Sequence, residues 1–125
     1  MKILVIDDEP DVRRISQLSL STVGGMDVIA AASAEEGIRA AGEQAPDAIL
    51  LDVSMPGTDG PATLVLLRSD PATAHIPVIF VTAKAMAAEL DHLRSLGAVG
   101  VITKPFRAME LPAQVRAILS ESGAR

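Results

Sequence analysis

The chain has 125 residues, a formal net charge of −5, no cysteine, and two Phe as its only aromatic residues. This length suits one domain, and the lack of cysteine excludes disulfides, thiolate chemistry and cysteine-ligated metals. An acidic chain argues against direct binding to nucleic acid or an anionic membrane, since both need clustered positive charge. So few aromatic rings also argue against base stacking and aromatic ligand cages. The core must therefore be aliphatic.

The amino terminus does not resemble a secretory signal, because Asp7 interrupts the apolar stretch after four residues. No apolar run elsewhere approaches the roughly 20 residues that span a bilayer. These two observations predict a cytoplasmic protein.

Short apolar runs alternate with longer amphipathic segments along the whole chain. Five runs are predicted strands, at residues 3–6, 28–31, 48–51, 78–81 and 99–102. Helices are predicted at residues 10–22, after Ser33, at 61–69, before Gly97, and at 108–120. The pattern is a strand followed by a helix, five times over.

Local signals support the individual helices. Ser33 followed by Glu36 has the spacing of a capping box. Gly37 and Gly42 each cost about 1 kcal/mol relative to Ala, so this second helix is predicted to be the least stable. Pro112 must lie in the first turn of the last helix, because deeper inside it would break the hydrogen-bond ladder.

The fourth helix is predicted from three apolar residues spaced for one helical face, namely Met86, Leu90 and Leu93.

Strands that are apolar on both sides and alternate with helices predict an α/β fold with a parallel sheet covered on both faces. Crossovers between parallel strands are right-handed. We expect one domain over residues 1–121 and a short tail at 122–125.

Polar residues follow four of the five predicted strands. In an open doubly wound sheet, ligands bind beyond the carboxyl ends of the strands. Each residue also has an ordinary interpretation as a cap, turn residue or solvated charge. Together those interpretations become improbable, because one sheet edge receives all five: Asp7, Asp8, Asp52, Thr82 and Lys104.

Three carboxylates in one small volume repel each other unless a cation neutralises them, and one lysine is insufficient. Mg²⁺ prefers oxygen ligands and binds through one or two carboxylates while keeping several waters. An aspartate beside Mg²⁺ can act as a phosphoryl acceptor, with a lysine and a hydroxyl holding the oxygens of the transferred group.

Four segments carry a resemblance to a known family: VIDDE from Val5, LDVSMPG from Leu51, VTA from Val81 and KPF from Lys104. In this order and spacing they resemble the receiver domain of two-component response regulators. The resemblance covers the chain from Met1 to about Ser120. It implies a flavodoxin-like (βα)5 sheet with the strand order 2-1-3-4-5.

The resemblance implies a role for each residue of this edge. Asp52 is the expected phosphorylation site. Asp7, Asp8, Asp52 and the backbone carbonyl of Ser54 are the expected Mg²⁺ ligands.

The remaining roles concern the switch. Thr82 is the expected switch hydroxyl, Lys104 the cation that pairs with the phosphoryl group, and Ala83 a small residue that leaves the pocket open. The Lys104–Pro105 bond is expected to be cis, a form that only a bond before proline adopts at low cost.

The implied function is a phosphorylation-dependent switch that accepts a phosphoryl group from a sensor histidine kinase or a phosphotransfer protein. Such a protein catalyses its own phosphoryl transfer and dephosphorylation but is no enzyme acting on a separate substrate. The chain is either a stand-alone receiver or part of a longer regulator. Its output partner, and whether it dimerises when phosphorylated, stay open.

Three alternatives are less well supported. A flavin- or nucleotide-binding protein would need a glycine-rich loop after the first strand, where this chain has Asp-Asp-Glu-Pro. A Mg²⁺-dependent phosphatase would usually have an acid two residues after Asp52, where this chain has Ser54. A degenerate receiver would lack some of the key residues, and all five are present.

One position departs from the family pattern. Receivers usually have Tyr or Phe three residues before the lysine, and this chain has Val101. Valine is stiff about χ1 and short. We therefore expect Thr82 to respond to phosphorylation without a coupled ring movement.

Overall fold

A computed structural model describes residues 1–123 of the chain, so part of the predicted tail, residues 124–125, lies outside the described residues. Five strands form one parallel sheet: β1 (Lys2–Ile6), β2 (Asp27–Ala31), β3 (Ala48–Asp52), β4 (Val78–Thr82) and β5 (Gly100–Thr103). The order is β2-β1-β3-β4-β5, which confirms the predicted flavodoxin-like topology.

Five α-helices alternate with these strands: α1 (Pro10–Leu18), α2 (Ala34–Gln44), α3 (Gly60–Ser69), α4 (Ala87–Ser95) and α5 (Leu111–Glu121). A π-helical turn, Ser19–Val23, extends α1. No helix among residues 1–123 is both long and apolar enough to cross a membrane.

Both faces of the sheet are covered, as expected for buried parallel strands. On one face, β1, β3 and β4 pack against α2, α3 and α4 through residues such as Leu51, Leu64 and Phe80. On the other face, the strands pack against the π-helical turn and α5 through residues such as Ile79 and Val115. The core is aliphatic apart from Phe80, which is fully buried.

The first helix differs from the prediction that it continues as one α-helix to residue 22. After Leu18 the backbone hydrogen bonds join residues five positions apart instead of four, and the amide of Gly24 donates to the carbonyl of Ser19 at 3.1 Å. The hydroxyl of Ser19 donates to the carbonyl of Ala108 in the loop before α5. This contact joins distant segments, so a local pattern could not reveal it.

The fourth helix also begins later than its apolar spacing suggests. Leu93 is buried and Leu90 half-buried, but Met86 is 71% exposed and lies just before the helix. Its backbone is extended, with φ −68° and ψ 137°. The prediction that Met86 lies with Leu90 and Leu93 on one face of the helix is therefore wrong, because Met86 precedes α4.

The last helix begins at Leu111, three residues after the predicted start. Residues 107–110 form a turn instead, in which the amide of Glu110 donates to the carbonyl of Arg107 at 2.9 Å. Pro112 lies in the first turn of α5, as predicted.

Ser33 and Glu36 both cap α2, but Glu36 bonds the amide before Ser33 and not that of Ser33, as a regular capping box would require. Ser33 Oγ accepts from the amide of Glu36 at 3.2 Å, and the Glu36 carboxylate accepts from the amide of Ala32 at 2.9 Å. Gly37 has a packing role that its propensity cost conceals, because a Cβ there would lie 2.4 Å from Cδ1 of Ile6. Because Gly37 has no Cβ, α2 can pack closely against β1. The low stability of α2 stays a prediction.

Candidate functional site

The parallel register brings the ends of four strands to one edge of the sheet. Ile6 of β1 pairs with Leu51 of β3, and Asp52 pairs with Val81 of β4. Thr82 ends β4. Residues that follow or end these strands therefore meet at the carboxyl edge.

Asp7, Asp8 and Asp52 form an acidic pocket at this edge. A carboxylate oxygen from each lies within 4.8 Å of the others. The side chains of Asp7 and Asp52 are only 5% and 4% exposed, while Asp8 is half-buried. Little water reaches the two buried groups, so their repulsion is poorly screened.

Lys104 supplies positive charge to this pocket. Its Nζ lies 3.2 Å from Asp7 Oδ2, 3.4 Å from Asp52 Oδ1 and 3.6 Å from Glu9 Oε1. The Lys104 side chain is 15% exposed, so the two buried carboxylates hold it at the mouth of the pocket. One lysine still faces several acids.

This imbalance changes the ionisation of Asp52. Burial, and after it the negative charge of Asp7, raise the pKa of Asp52 from 3.8 to about 6, although Lys104 and the amide of Ser54 act in the opposite direction. Burial on its own would lower the pKa of Lys104, but Asp7 and Asp52 together raise it. The effects of Asp7 on Asp52, and of both acids on Lys104, reflect carboxylates gathered around one lysine.

Two oxygens identify where a cation would bind. Asp8 Oδ1 and Asp52 Oδ2 are buried without a hydrogen-bond partner in the described part of the chain. Buried polar atoms normally have partners, and a buried carboxylate oxygen without one suits a metal. Three close carboxylates with two free oxygens therefore fit a hard divalent cation such as Mg²⁺.

Thr82 lies at the same edge, buried at the end of β4. Its Oγ1 accepts from the amide of Lys84 at 3.0 Å, and its carbonyl accepts from the amide of Lys104 at 2.7 Å. It does not cap α4, which begins at Ala87. The backbone thus joins Thr82 directly to Lys104, and the Lys104–Pro105 bond is cis, as the resemblance implies.

The loop after β3 depends on Gly60, a residue whose role the sequence did not reveal. A Cβ at Gly60 would lie 2.6 Å from the carbonyl oxygen of Asp52 and 2.7 Å from Cα of Val53. The Gly60 amide donates to the carbonyl of Val53 at 2.9 Å. The loop therefore folds back onto the strand end that carries Asp52, and only glycine fits there.

Two charged residues of α1 and its cap also reach the site, and the sequence analysis assigned a role to neither. Glu9 contacts Lys104, as given above, and the Arg13 guanidinium donates to the carbonyl of Asp7 at 2.8 Å. Only their position just after Asp7 and Asp8 could have suggested them.

The surroundings of the pocket differ on its two sides. An apolar cavity of about 300 Å³ is lined by Val12, Ile15, Ala83, Lys104, Pro105 and Phe106. A more polar groove on the other side includes Ser54 and Lys84. Val101 is half-buried and packs toward the α2, α3 and α4 side of the sheet.

The flavodoxin-like sheet, with a hydroxyl, a lysine and three carboxylates that could hold a metal ion at its carboxyl edge, places the chain in the class of doubly wound α/β domains with an acidic pocket. Residues 3–116 match the model of the response regulator receiver domain family. The chain belongs to this family of response regulator receiver domains. These domains are signalling switches of two-component systems, and phosphorylation and Mg²⁺ fit the family.

Similar curated proteins are transcriptional regulators. The chain is 34% identical over 121 residues to the phosphate regulon regulatory protein PhoB of Pseudomonas aeruginosa, covering 97% of this chain and 52% of that protein. It is 38% identical to the alkaline phosphatase synthesis regulatory protein PhoP of Bacillus subtilis, covering 97% and 49%. The chain thus spans about half the length of these relatives.

Solved structures support the same family. A response regulator from Chloroflexus aurantiacus has a TM-score of 0.85 at 32% identity, covering 95% of this chain and 97% of that one. The chemotaxis protein CheY4 of Vibrio cholerae has a TM-score of 0.86 at 25% identity, covering 94% and 98%.

Proposed function

We propose that this chain is a phosphorylation switch that accepts a phosphoryl group onto Asp52. The observation that carries the proposal is the environment of Asp52, a buried carboxylate with one unpartnered oxygen beside Asp7, Asp8 and Lys104. The donor is a phosphohistidine on a sensor kinase or phosphotransfer protein. The domain proper extends over residues 1–121.

In the transfer step a carboxylate oxygen of Asp52 attacks the phosphorus atom. A P–O bond forms as the P–N bond to the histidine breaks, and the leaving nitrogen keeps the electron pair and takes up a proton. Asp7, Asp8, Asp52 and the carbonyl of Ser54 would hold Mg²⁺, which when bound neutralises charge on the transferring group.

Lys104 and Thr82 have complementary parts in this proposal. The Lys104 ammonium already faces Asp52 at 3.4 Å, so it can pair with phosphoryl oxygens after small movements. The hydroxyl of Thr82 now accepts from the Lys84 amide, and turning toward the phosphoryl group would make it a donor. Ala83, being small, leaves the approach open, and water hydrolyses the aspartyl phosphate in time.

The switch would act on the surface formed by α4, β5 and α5. Phosphorylation adds about −1.5 to −2 charge to a site already rich in carboxylates. The Thr82 loop leads directly into α4, where Ala87, Ala88 and Asp91 are exposed beside the half-buried Val101. Repositioning this loop would change what a partner finds there.

The phosphorylated domain would pass its signal to an effector. The chain spans only about half the length of its curated relatives, so an attached effector and a separate partner are both compatible with it. We propose that the protein is cytoplasmic and that its phosphorylated form acts on another protein rather than directly on nucleic acid. Whether the phosphorylated form dimerises can be measured by sedimentation of the sample prepared in the experiment below.

Phosphorylation can be tested by incubating the protein with a small phosphodonor and Mg²⁺ and measuring the intact mass. The wild type should gain one phosphoryl group, and Asp52→Asn should gain none. Asp91→Asn, which removes an exposed carboxylate on α4, is the matched control and should react like the wild type.

No mass increase on the wild type would refute the proposal. The role of Asp52 is tested further with beryllofluoride, a phosphoryl mimic. Mg²⁺-dependent binding that Asp52→Asn abolishes supports the switch, and binding that survives this substitution counts against it.

A further inference from the structure

Lys104 has three ammonium protons and three carboxylates facing them. The contacts measure 3.2 Å to Asp7, 3.4 Å to Asp52 and 3.6 Å to Glu9. A lysine ammonium has three donors and no acceptor; it donates a hydrogen bond to Asp7 and forms ion pairs with Asp52 and Glu9. A phosphoryl group at Asp52 would bring further oxygens to the same ammonium. Those oxygens would compete with the three carboxylates for the ammonium.

The three carboxylates differ in how firmly they are held. The Asp7 side chain is 5% exposed and its Oδ1 also accepts from the amide of Glu9 at 2.9 Å. The Asp52 side chain is 4% exposed and its Oδ1 also accepts from the amide of Ser54. The Glu9 side chain is 60% exposed and makes the longest contact. Within residues 1–123 no other bond of its carboxylate is found.

We propose that Glu9 is a positioning residue that holds Lys104 in the resting protein and competes with the phosphoryl group for its ammonium. This inference rests on the proposed phosphorylation of Asp52. The contact between Glu9 and Lys104 is the one that breaks, because the Glu9 side chain is exposed, makes the longest of the three contacts and can rotate into solvent. Glu9 thus keeps Lys104 at the mouth of the pocket in the unphosphorylated protein. The same contact slightly lowers the affinity of Lys104 for the phosphoryl group.

The size of the effect follows from exposure. Ion pairs with one solvated partner contribute little, so releasing Glu9 should change affinity by about two- to fivefold. The test measures beryllofluoride affinity at saturating Mg²⁺ for Glu9→Gln against the wild type. Glu9→Gln should bind the mimic about two- to fivefold more tightly.

The control separates this contact from charge alone. Asp11→Asn removes the same charge from the exposed first turn of α1, where no contact with Lys104 is found among residues 1–123. It should improve affinity by less than about half as much as Glu9→Gln. Equal effects of the two variants would overturn competition for Lys104 and leave only a general charge effect.

A second measurement needs neither metal nor phosphoryl mimic. In metal-free protein, the rate at which an amine-acetylating reagent modifies Lys104 is measured on its peptide by mass spectrometry. Glu9→Gln should raise this rate and Asp11→Asn should not. An unchanged rate in Glu9→Gln overturns the claim that Glu9 holds the lysine.

The two proposals fail in distinguishable ways. A wild type that binds no beryllofluoride refutes the phosphorylation switch and, with it, the competition. A wild type that binds normally, with Glu9→Gln matching Asp11→Asn, refutes the competition alone.

Discussion

The acidic pocket lies at the carboxyl edge of the sheet and helix α4 packs on one of its faces, and the two regions are built in opposite ways. Asp52 ends a strand whose five residues are all buried, and the backbone behind it packs against Gly60 without space for a methyl group. In α4, all of which is described, Leu93 is the only buried residue. The chemical groups therefore lie on rigid backbone, and the neighbouring helix is weakly held.

This difference shows how a small chemical event can have a structural consequence. Segments with little buried apolar surface open and shift at low free-energy cost. In the proposed switch, a change of charge at Asp52 would act on α4 rather than on β3, and we propose that the Thr82–Lys84 hydrogen bond joins the two regions. The acidic pocket and α4 therefore differ in how tightly they are packed as well as in their position in the sequence.

The largest expected effect tests how α4 is held. Leu93→Ala should destabilise the protein by about 2–4 kcal/mol, because it removes a buried leucine. The free energy of unfolding in urea measures this, and hydrogen exchange should increase most in α4. Met86→Ala is the control and should change stability by less than about 0.5 kcal/mol, because Met86 is exposed. Equal losses would contradict the assignment of Met86 to solvent.

A smaller effect tests the charge imbalance of the pocket. The pKa of Asp52 is raised from 3.8 to about 6, so the folded protein holds this proton more tightly than the unfolded chain. The contribution to stability is present below pH 3.8 and is lost as the pH rises through about 6. In metal-free urea unfolding near pH 8, Asp52→Asn should be more stable than the wild type by about 1–3 kcal/mol.

Near pH 4 this difference should largely disappear, because the wild-type carboxyl is then mostly protonated in the folded protein. Added Mg²⁺ should stabilise the wild type near pH 8 and have little effect on Asp52→Asn. Asp91→Asn, which alters an exposed carboxylate, should stay within about 0.5 kcal/mol of the wild type at both pH values. If the metal-free wild type were more stable than Asp52→Asn near pH 8, the raised pKa of Asp52 would be contradicted.

The smallest effect concerns the link between the two regions. With valine at position 101, beryllofluoride should shift the amide resonance of Thr82 much more than that of Val101. Val28 on the distant edge strand β2 provides the reference for an unaffected residue. Equal shifts at Thr82 and Val101 would show that coupling does not need an aromatic ring.

The site was predictable to the extent that strand ends are visible in sequence. Buried strands of β-branched and aliphatic residues end where polar residues begin, so Asp7, Asp52 and Thr82 could be placed at one edge from the topology of a parallel sheet. Glu9 could not be distinguished in this way, because nothing local indicates that its carboxylate reaches Lys104. Gly60 was equally hidden, since its necessity comes from the closeness of the β3 backbone.

The sequence by itself determined the alternation of five strands and five helices, the two-sided burial of the sheet and the residues gathered at its carboxyl edge. These follow from periodicity and strand ends, which are local. Only the tertiary structure decided that α1 ends in a π-helical turn joined to Ala108, that Met86 faces solvent, and that Lys104 is shared by three carboxylates. The physical reason is common to all three. Each depends on atoms from segments far apart in the chain, whose distances are set by packing of the whole domain.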